Sequence, residues 1–156
     1  MAIEKVKEYL KTFGRDGDVQ EFDVSSATVE LAAAALGVEP ARIAKTISLY
    51  DGESAMLILA AGDAKIDNHK FKEAFGFKPK MLAPEDVLRF TGHAIGGVCP
   101  FGIPEPLRVF LDRSLERFDV VYPAAGTDNS AVRLTPSELM GAADAAGWVD
   151  VCKGWE

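Results

Sequence analysis

Residues 44–62 read AKTISLYDGESAMLILAAG, and the fold turns on how this stretch divides. Its first part, Ala44-Lys45-Thr46-Ile47-Ser48-Leu49-Tyr50, is rich in the β-branched and aromatic residues that suit a pleated, half-buried surface. Asp51-Gly52 follows as the strongest short hairpin signal in the chain, because glycine reaches positive φ at no steric cost. SAMLILAAG then returns as a mostly apolar strand. Lys45 thus enters the first strand of a central hairpin, interrupting the apolar neighbours Ile43, Ala44 and Ile47. A lysine so placed either snorkels to solvent or, held partly buried, binds a carbonyl or phosphate oxygen as a point charge.

Upstream of the hairpin, Ile3, Val6, Leu10 and Phe13 recur at helical spacing and Gly14 ends the run. DVQEFDV (18–24) reads as a strand, and Ser25-Ser26-Ala27-Thr28 offers capping hydroxyls to the helix VELAAAAL, which Gly37 closes. Glu39-Pro40 starts a short helical turn. Downstream, 67–75 is predicted helical, 78–82 extended, and Pro84 with Glu85 and Asp86 opens a further helix. LRVFLD (107–112), DVVYPAA (119–125) and the run from Ser130 to Leu134 are strand candidates, with Gly126-Thr127-Asp128-Asn129 turning between the last two. Thr135-Pro136-Ser137-Glu138 has the pattern of a capping box, and a strand is expected around Trp148 to Val151. Paired strands separated by helices predict an α+β protein, one domain over 1–156, whose mixed, largely antiparallel central sheet is flanked by helices.

The chain has 156 residues, 48% hydrophobic and 26% charged, with no apolar run long enough to span a bilayer, so no membrane partner is expected. Its first 14 residues lack the apolar core and cleavage site of a secretory signal, which places the protein in the cytoplasm. Two cysteines, Cys99 and Cys152, are too few for a disulfide scaffold and lack zinc-ligand spacing, so no metal is expected. Neither GxxxxGK[ST] nor GxGxxG occurs, and no cofactor is expected. The formal charge of -7 opposes sequence-blind attraction to nucleic acid and leaves DNA out as a partner. Within it, KIDNHKFKEAFGFKPK (65–80) sets five lysines against Asp67 and Glu73, a local excess of positive charge that is either a solvated helix face or a polyanion contact.

GHAIGGVCPFG (92–102) holds four glycines and a proline and must be a loop. Such a loop is either a tight bend or a means of aiming backbone N–H groups at a developing oxyanion. Cys99 and His93 suggest a thiolate with its base, but proximity in sequence does not bring an imidazole to a sulfur, and a lone cysteine is commonly a small buried hydrophobe.

Three separated segments together resemble one family: Ala41-Arg42-Ile43-Ala44-Lys45-Thr46, the loop Gly96-Gly97-Val98-Cys99-Pro100-Phe101-Gly102, and Ala125-Gly126-Thr127-Asp128-Asn129-Ser130-Ala131-Val132-Arg133-Leu134. They look like the YbaK/ProX aminoacyl-tRNA deacylases, related to the editing domain of bacterial prolyl-tRNA synthetases. The resemblance runs from about Thr28 to the helix after Thr135. It implies a hydrolase that cleaves the ester of a mischarged tRNA apart from the synthetase, with cysteine or alanine on proline tRNA as candidates. By this resemblance Lys45 holds the terminal adenosine phosphate or orients the ester. The backbone of Gly96, Gly97, Val98, Cys99 and Pro100 binds the aminoacyl carbonyl and ribose, and Gly126, Thr127, Asp128 and Asn129 line the amino-acid pocket. Cys99 stands where the family often has serine. The implied partners are the aminoacyl-tRNA 3′ end, with Lys65, Lys70 and Lys72 toward the tRNA, and prolyl-tRNA synthetase. The competing readings are a binding module of the same fold that cleaves nothing, and a cysteine hydrolase using Cys99.

Overall fold

The computed structural model describes residues 2–94, 97–103 and 107–155. Helix α1 (Ala2–Lys11) leads through a 3-10 turn to strand β1 (Val19–Glu21) and helix α2 (Val29–Leu36). A second 3-10 turn (Pro40–Arg42) enters the long hairpin of β2 (Ile43–Asp51) and β3 (Ser54–Ala61). The short strand β4 (Lys65–Ile66) precedes helices α3 (Asn68–Phe75) and α4 (Pro84–Thr91). Then come β5 (Arg108–Asp112), a 3-10 turn (Arg113–Arg117), β6 (Tyr122–Pro123), β7 (Ser130–Val132), α5 (Pro136–Ala142), β8 (Gly147–Val149) and β9 (Cys152–Lys153). No helix among the described residues is long and apolar enough to cross a membrane.

The hairpin forms where the sequence predicts it, with one shift. Asp51 pairs with Ser54, so the two-residue loop is Gly52-Glu53, with Gly52 at φ +65° in the first loop position. The central sheet runs β6-β2-β3-β5-β8. It is mixed, as expected, but its antiparallel part is confined to β2 and β3. The pairs β2 with β6, β3 with β5, and β5 with β8 are parallel. The cause lies in the connections: α3 and α4 separate β3 from β5, and α5 lies between β5 and β8, and crossovers of that length return a strand in parallel. The expected hairpin of 119–125 with 130–134 survives as two antiparallel bridges, Val121 with Leu134 and Ala124 with Ala131, while β7 pairs along its length with β1. The segment 78–82 contributes one bridge, Leu49 with Met81.

Local chemistry sets the boundaries. Thr28 Oγ1 accepts from Leu31 N to start α2, and Gly37 at φ +71° ends it. Thr135 and Glu138 make both halves of the capping box of α5. Strand β3 is buried on both faces, with Met56, Leu57, Ile58, Leu59, Ala60 and Ala61 all excluded from solvent, which explains its unbroken apolar sequence. Phe71, Phe101, Leu10 and Leu111 join the same core, each worth about 1.5–3 kcal/mol on burial.

Candidate functional site

Beside β2 lies a cavity of about 300 Å³. Side chains alternate along a strand, so Ala44, Thr46 and Ser48 share one face of β2, and all three residues line the cavity. Opposite them stand Ser26 to Val29 and Ala32, from the capping segment and first turns of α2. Val98, from the glycine loop, and Ser130, the first residue of β7 after the polar turn, close the wall. Lys45 also lines the cavity and is its one charged residue among the described residues.

The Lys45 ammonium donates to the carbonyl of Ala64, in the turn after β3. Burial pushes its pKa down, and Lys65 acts in the same direction against Asp63 and Glu30. The turn that supplies this carbonyl is fastened from several sides. Strand β4 pairs with β9 beside it. Arg117 grips Asp63 through two nitrogens at 3.1 and 2.6 Å and donates to the Trp155 carbonyl. The ammonium of this cavity-bordering residue is therefore held by a carbonyl in the fastened turn after β3.

The glycine loop and the polar turn meet. A Cβ on Gly97 would fall 2.7 Å from Thr127 Cα and N and 2.8 Å from the Gly126 carbonyl carbon, so only glycine allows the two backbones this close. Gly96 lies outside the described residues. Val98 faces the cavity, whereas Cys99 and Pro100 are buried and belong to the loop's inner side. The turn Gly126 to Asn129 stands one layer behind the wall, among the described residues, and works through its neighbours. Asn129 Nδ2 donates to the Phe22 carbonyl (3.1 Å), and Ser26 N donates to the Asp128 carbonyl (2.6 Å). The Thr127 hydroxyl bonds Ser130 Oγ at 2.7 Å. The turn thereby fixes the segment 22–28 that carries Ser26 to the cavity.

Cys99 and His93 do come together, with Sγ 3.5 Å from Nε2. They do not make a nucleophile and base. His93 Nε2 lies 2.8 Å from the Phe101 carbonyl, an acceptor, so Nε2 carries the proton and has no lone pair for the thiol. Burial pushes the Cys99 thiol up to about 12, and the residue has no exposed surface. The cysteine is a packing residue. Of the three lysines assigned to tRNA, Lys65 and Lys72 are exposed, while Lys70 donates to Asp150 Oδ1 (3.3 Å) and to the Cys152 carbonyl (2.9 Å). Sequence reasoning missed Ser26, Thr46, Ser48 and Ser130. The alternation of β2 could have found Thr46 and Ser48 once Ala44 was put on the inner face; Ser26 carried no signal apart from its place before the helix cap.

A family model described as the aminoacyl-tRNA editing domain matches residues 23–142. The chain is 52% identical to YwhH of Bacillus subtilis, a protein described as uncharacterized, over the full length of both. It is 32% identical to a proline–tRNA ligase of Trichlorobacter lovleyi over 65% of this chain, and spans 18% of that ligase. Among solved structures, a candidate trans-editing enzyme for prolyl tRNA synthetase superposes with a TM-score of 0.88 at 33% identity, covering 98% of each chain.

Proposed function

The chain belongs to the aminoacyl-tRNA editing domain family, and from that premise we propose that it is a deacylase that hydrolyses the ester of a mischarged tRNA, acting apart from the synthetase. Water adds to the ester carbonyl, the bond to the terminal ribose oxygen breaks, and that oxygen takes up the proton. The products are the free amino acid and an uncharged tRNA. An aminoacyl ester is already reactive, so orienting it and stabilising its oxyanion suffice. The Gly97 N–H is held by the Ala94 carbonyl (3.0 Å), so the Val98 N–H on the cavity side of the loop is the donor for the carbonyl oxygen, and Lys45 holds the terminal ribose or phosphate. The tRNA enters by its unpaired 3′ end, where bases and the 2′-OH are accessible, and Lys65 and Lys72 steer the strand behind it.

The observation that carries this reading is the convergence of Lys45 and Val98 on one cavity of about 300 Å³. That space suits a small amino acid, with cysteine or alanine on proline tRNA the first substrates to try and prolyl-tRNA synthetase the enzyme whose errors are cleared. A second sieve is needed because an apolar synthetase site separates residues differing by one methylene by only about 1–3 kcal/mol. Release of labelled amino acid from a panel of misacylated tRNAs is the test. Hydrolysis of at least one faster than buffer is expected; tight binding without turnover would instead identify a binding module.

A further inference from the structure

Between β3 and β4 the chain turns through Gly62, Asp63 and Ala64, and the Ala64 carbonyl holds the Lys45 ammonium. Where that carbonyl points depends on what fixes the turn. Ala64 N closes it on the Ala61 carbonyl at 2.9 Å. On one side the backbone at Gly62 runs so close to the Pro40 carbonyl that a Cβ there would overlap it. On the other side stands Arg117, the last residue of the 3-10 turn after β5. Its Nη1 and Nη2 donate to the two carboxylate oxygens of Asp63 at 3.1 and 2.6 Å, Nη1 also to the Trp155 carbonyl at 3.1 Å, and Nε to the Ser114 carbonyl at 2.9 Å. The guanidinium lies 4.8 Å from the centre of the Phe118 ring and 5.1 Å from that of Trp155. Ser114 is buried, and its hydroxyl accepts from Ala61 N at 3.0 Å, so the base on which Arg117 stands is itself tied to the end of β3.

A partly exposed ion pair contributes little to stability by itself, and this one leaves Arg117 28% and Asp63 37% exposed. Its geometry is what distinguishes it, since two parallel N–H···O bonds fix direction as well as distance. The fork specifies where Asp63 stands, and Ala64 is the next residue. We propose that Arg117 is a positioning residue for Lys45, acting through its fork on Asp63 to keep the Ala64 carbonyl where it orients the lysine ammonium. The effect on rate rests on the deacylase reading, in which Lys45 binds substrate; the effect on the lysine itself does not. Arg117→Lys keeps the charge but puts a point charge in place of the fork, so it separates positioning from simple neutralisation of Asp63.

The test compares wild type, Arg117→Lys, Asp63→Ala, the double variant, and Arg113→Lys, a control whose side chain pairs with Glu116 on the same 3-10 turn. Two quantities are read on each protein, with thermal midpoints confirming that it is folded. One is the Cε–Hε NMR correlation of Lys45 in protein labelled with lysine carrying 13C at Cε, assigned by its loss in Lys45→Met. The other is kcat/KM on alanyl and cysteinyl proline tRNA. Wild type and Arg113→Lys should show two separate Hε shifts for Lys45, the mark of a held side chain, and these should merge in Arg117→Lys and in Asp63→Ala. Each of those two should lose about tenfold or more in kcat/KM, and the double variant should fall no more than about twofold below the worse of them, because both cut the same link. Separate Lys45 shifts persisting in Arg117→Lys, merged shifts already in wild type, or losses that multiply in the double variant overturn the positioning role. So does deacylation within twofold of wild type in a variant whose Lys45 shifts have merged. If wild type hydrolyses neither ester, the deacylase reading falls, and the Lys45 shifts alone decide whether Arg117 positions the lysine.

Discussion

Lys45 is partly buried, and burial moves its pKa below the ordinary lysine value of 10.5. If its charged form binds substrate, deacylation falls as pH rises through that depressed value, at a lower pH than an exposed lysine would give. Lys45→Met should abolish this limb of the pH profile and lower the single-turnover rate by about a hundredfold, on the scale of losing one preorganised donor. Because charging the buried amine costs stability until pH rises through its folded pKa toward 10.5, Lys45→Met should not lower the thermal midpoint at neutral pH. His93 behaves in the opposite range. Burial holds its pKa below 6.5, so the unfolded chain takes up the proton first and stability is lost as pH falls below 6.5 toward the folded value. Thermal midpoints at two pH values should show this loss in wild type and less of it in His93→Gln, whose amide can still donate to the Phe101 carbonyl. Cys99→Ala should retain deacylation, and iodoacetamide should leave the native thiol unlabelled, since it is pushed up to about 12.

At the scale of elements, two loops separated by about thirty residues pack backbone to backbone at Gly97, the first reaching the cavity through Val98 and the second standing behind it. Gly97→Ala places a methyl against the backbone of Gly126 and Thr127 and must part the loops. Deacylation should drop at least tenfold, the order expected when a positioning element shifts by an ångström. Thr28→Ala removes the cap of α2 and should cost about 1 kcal/mol in denaturant unfolding. These features differ in how far the sequence discloses them. Caps, helix ends and the hairpin were legible because each depends on residues within a turn of one another, as at Thr28 with Leu31 or Thr135 with Glu138. The parallel partners of β3 and β5 were not, because parallel pairing is decided by crossovers spanning whole helices. Thr46 and Ser26 were missed for a related reason: the cavity they line exists only after α2, β2 and the turn at Asp128 have assembled. Lys45 stood out locally as a charge among apolar neighbours and the two loops as glycine-rich turns, but their grouping into one site came only through resemblance.

Across the whole molecule, the proposed function sets a net charge of -7 against the capture of an RNA end. On the proposed reading long-range attraction is unfavourable and affinity depends on short-range interactions, for which the exposed Lys65 and Lys72 are the candidates. Charge reversal at both should weaken tRNA binding most at low salt and reduce the salt slope of log K by about 0.7 for each phosphate no longer neutralised. Equal affinity after reversal would mean that this face only meets solvent. The most direct measurement is single-turnover hydrolysis of misacylated proline tRNA, carrying alanine, cysteine or serine, by micromolar wild-type protein and by Lys45→Met. A wild-type rate well above buffer for at least one of them, with the variant near buffer and still folded, is the predicted result; wild-type protein no faster than buffer on all three, or a variant as fast as wild type, would contradict it.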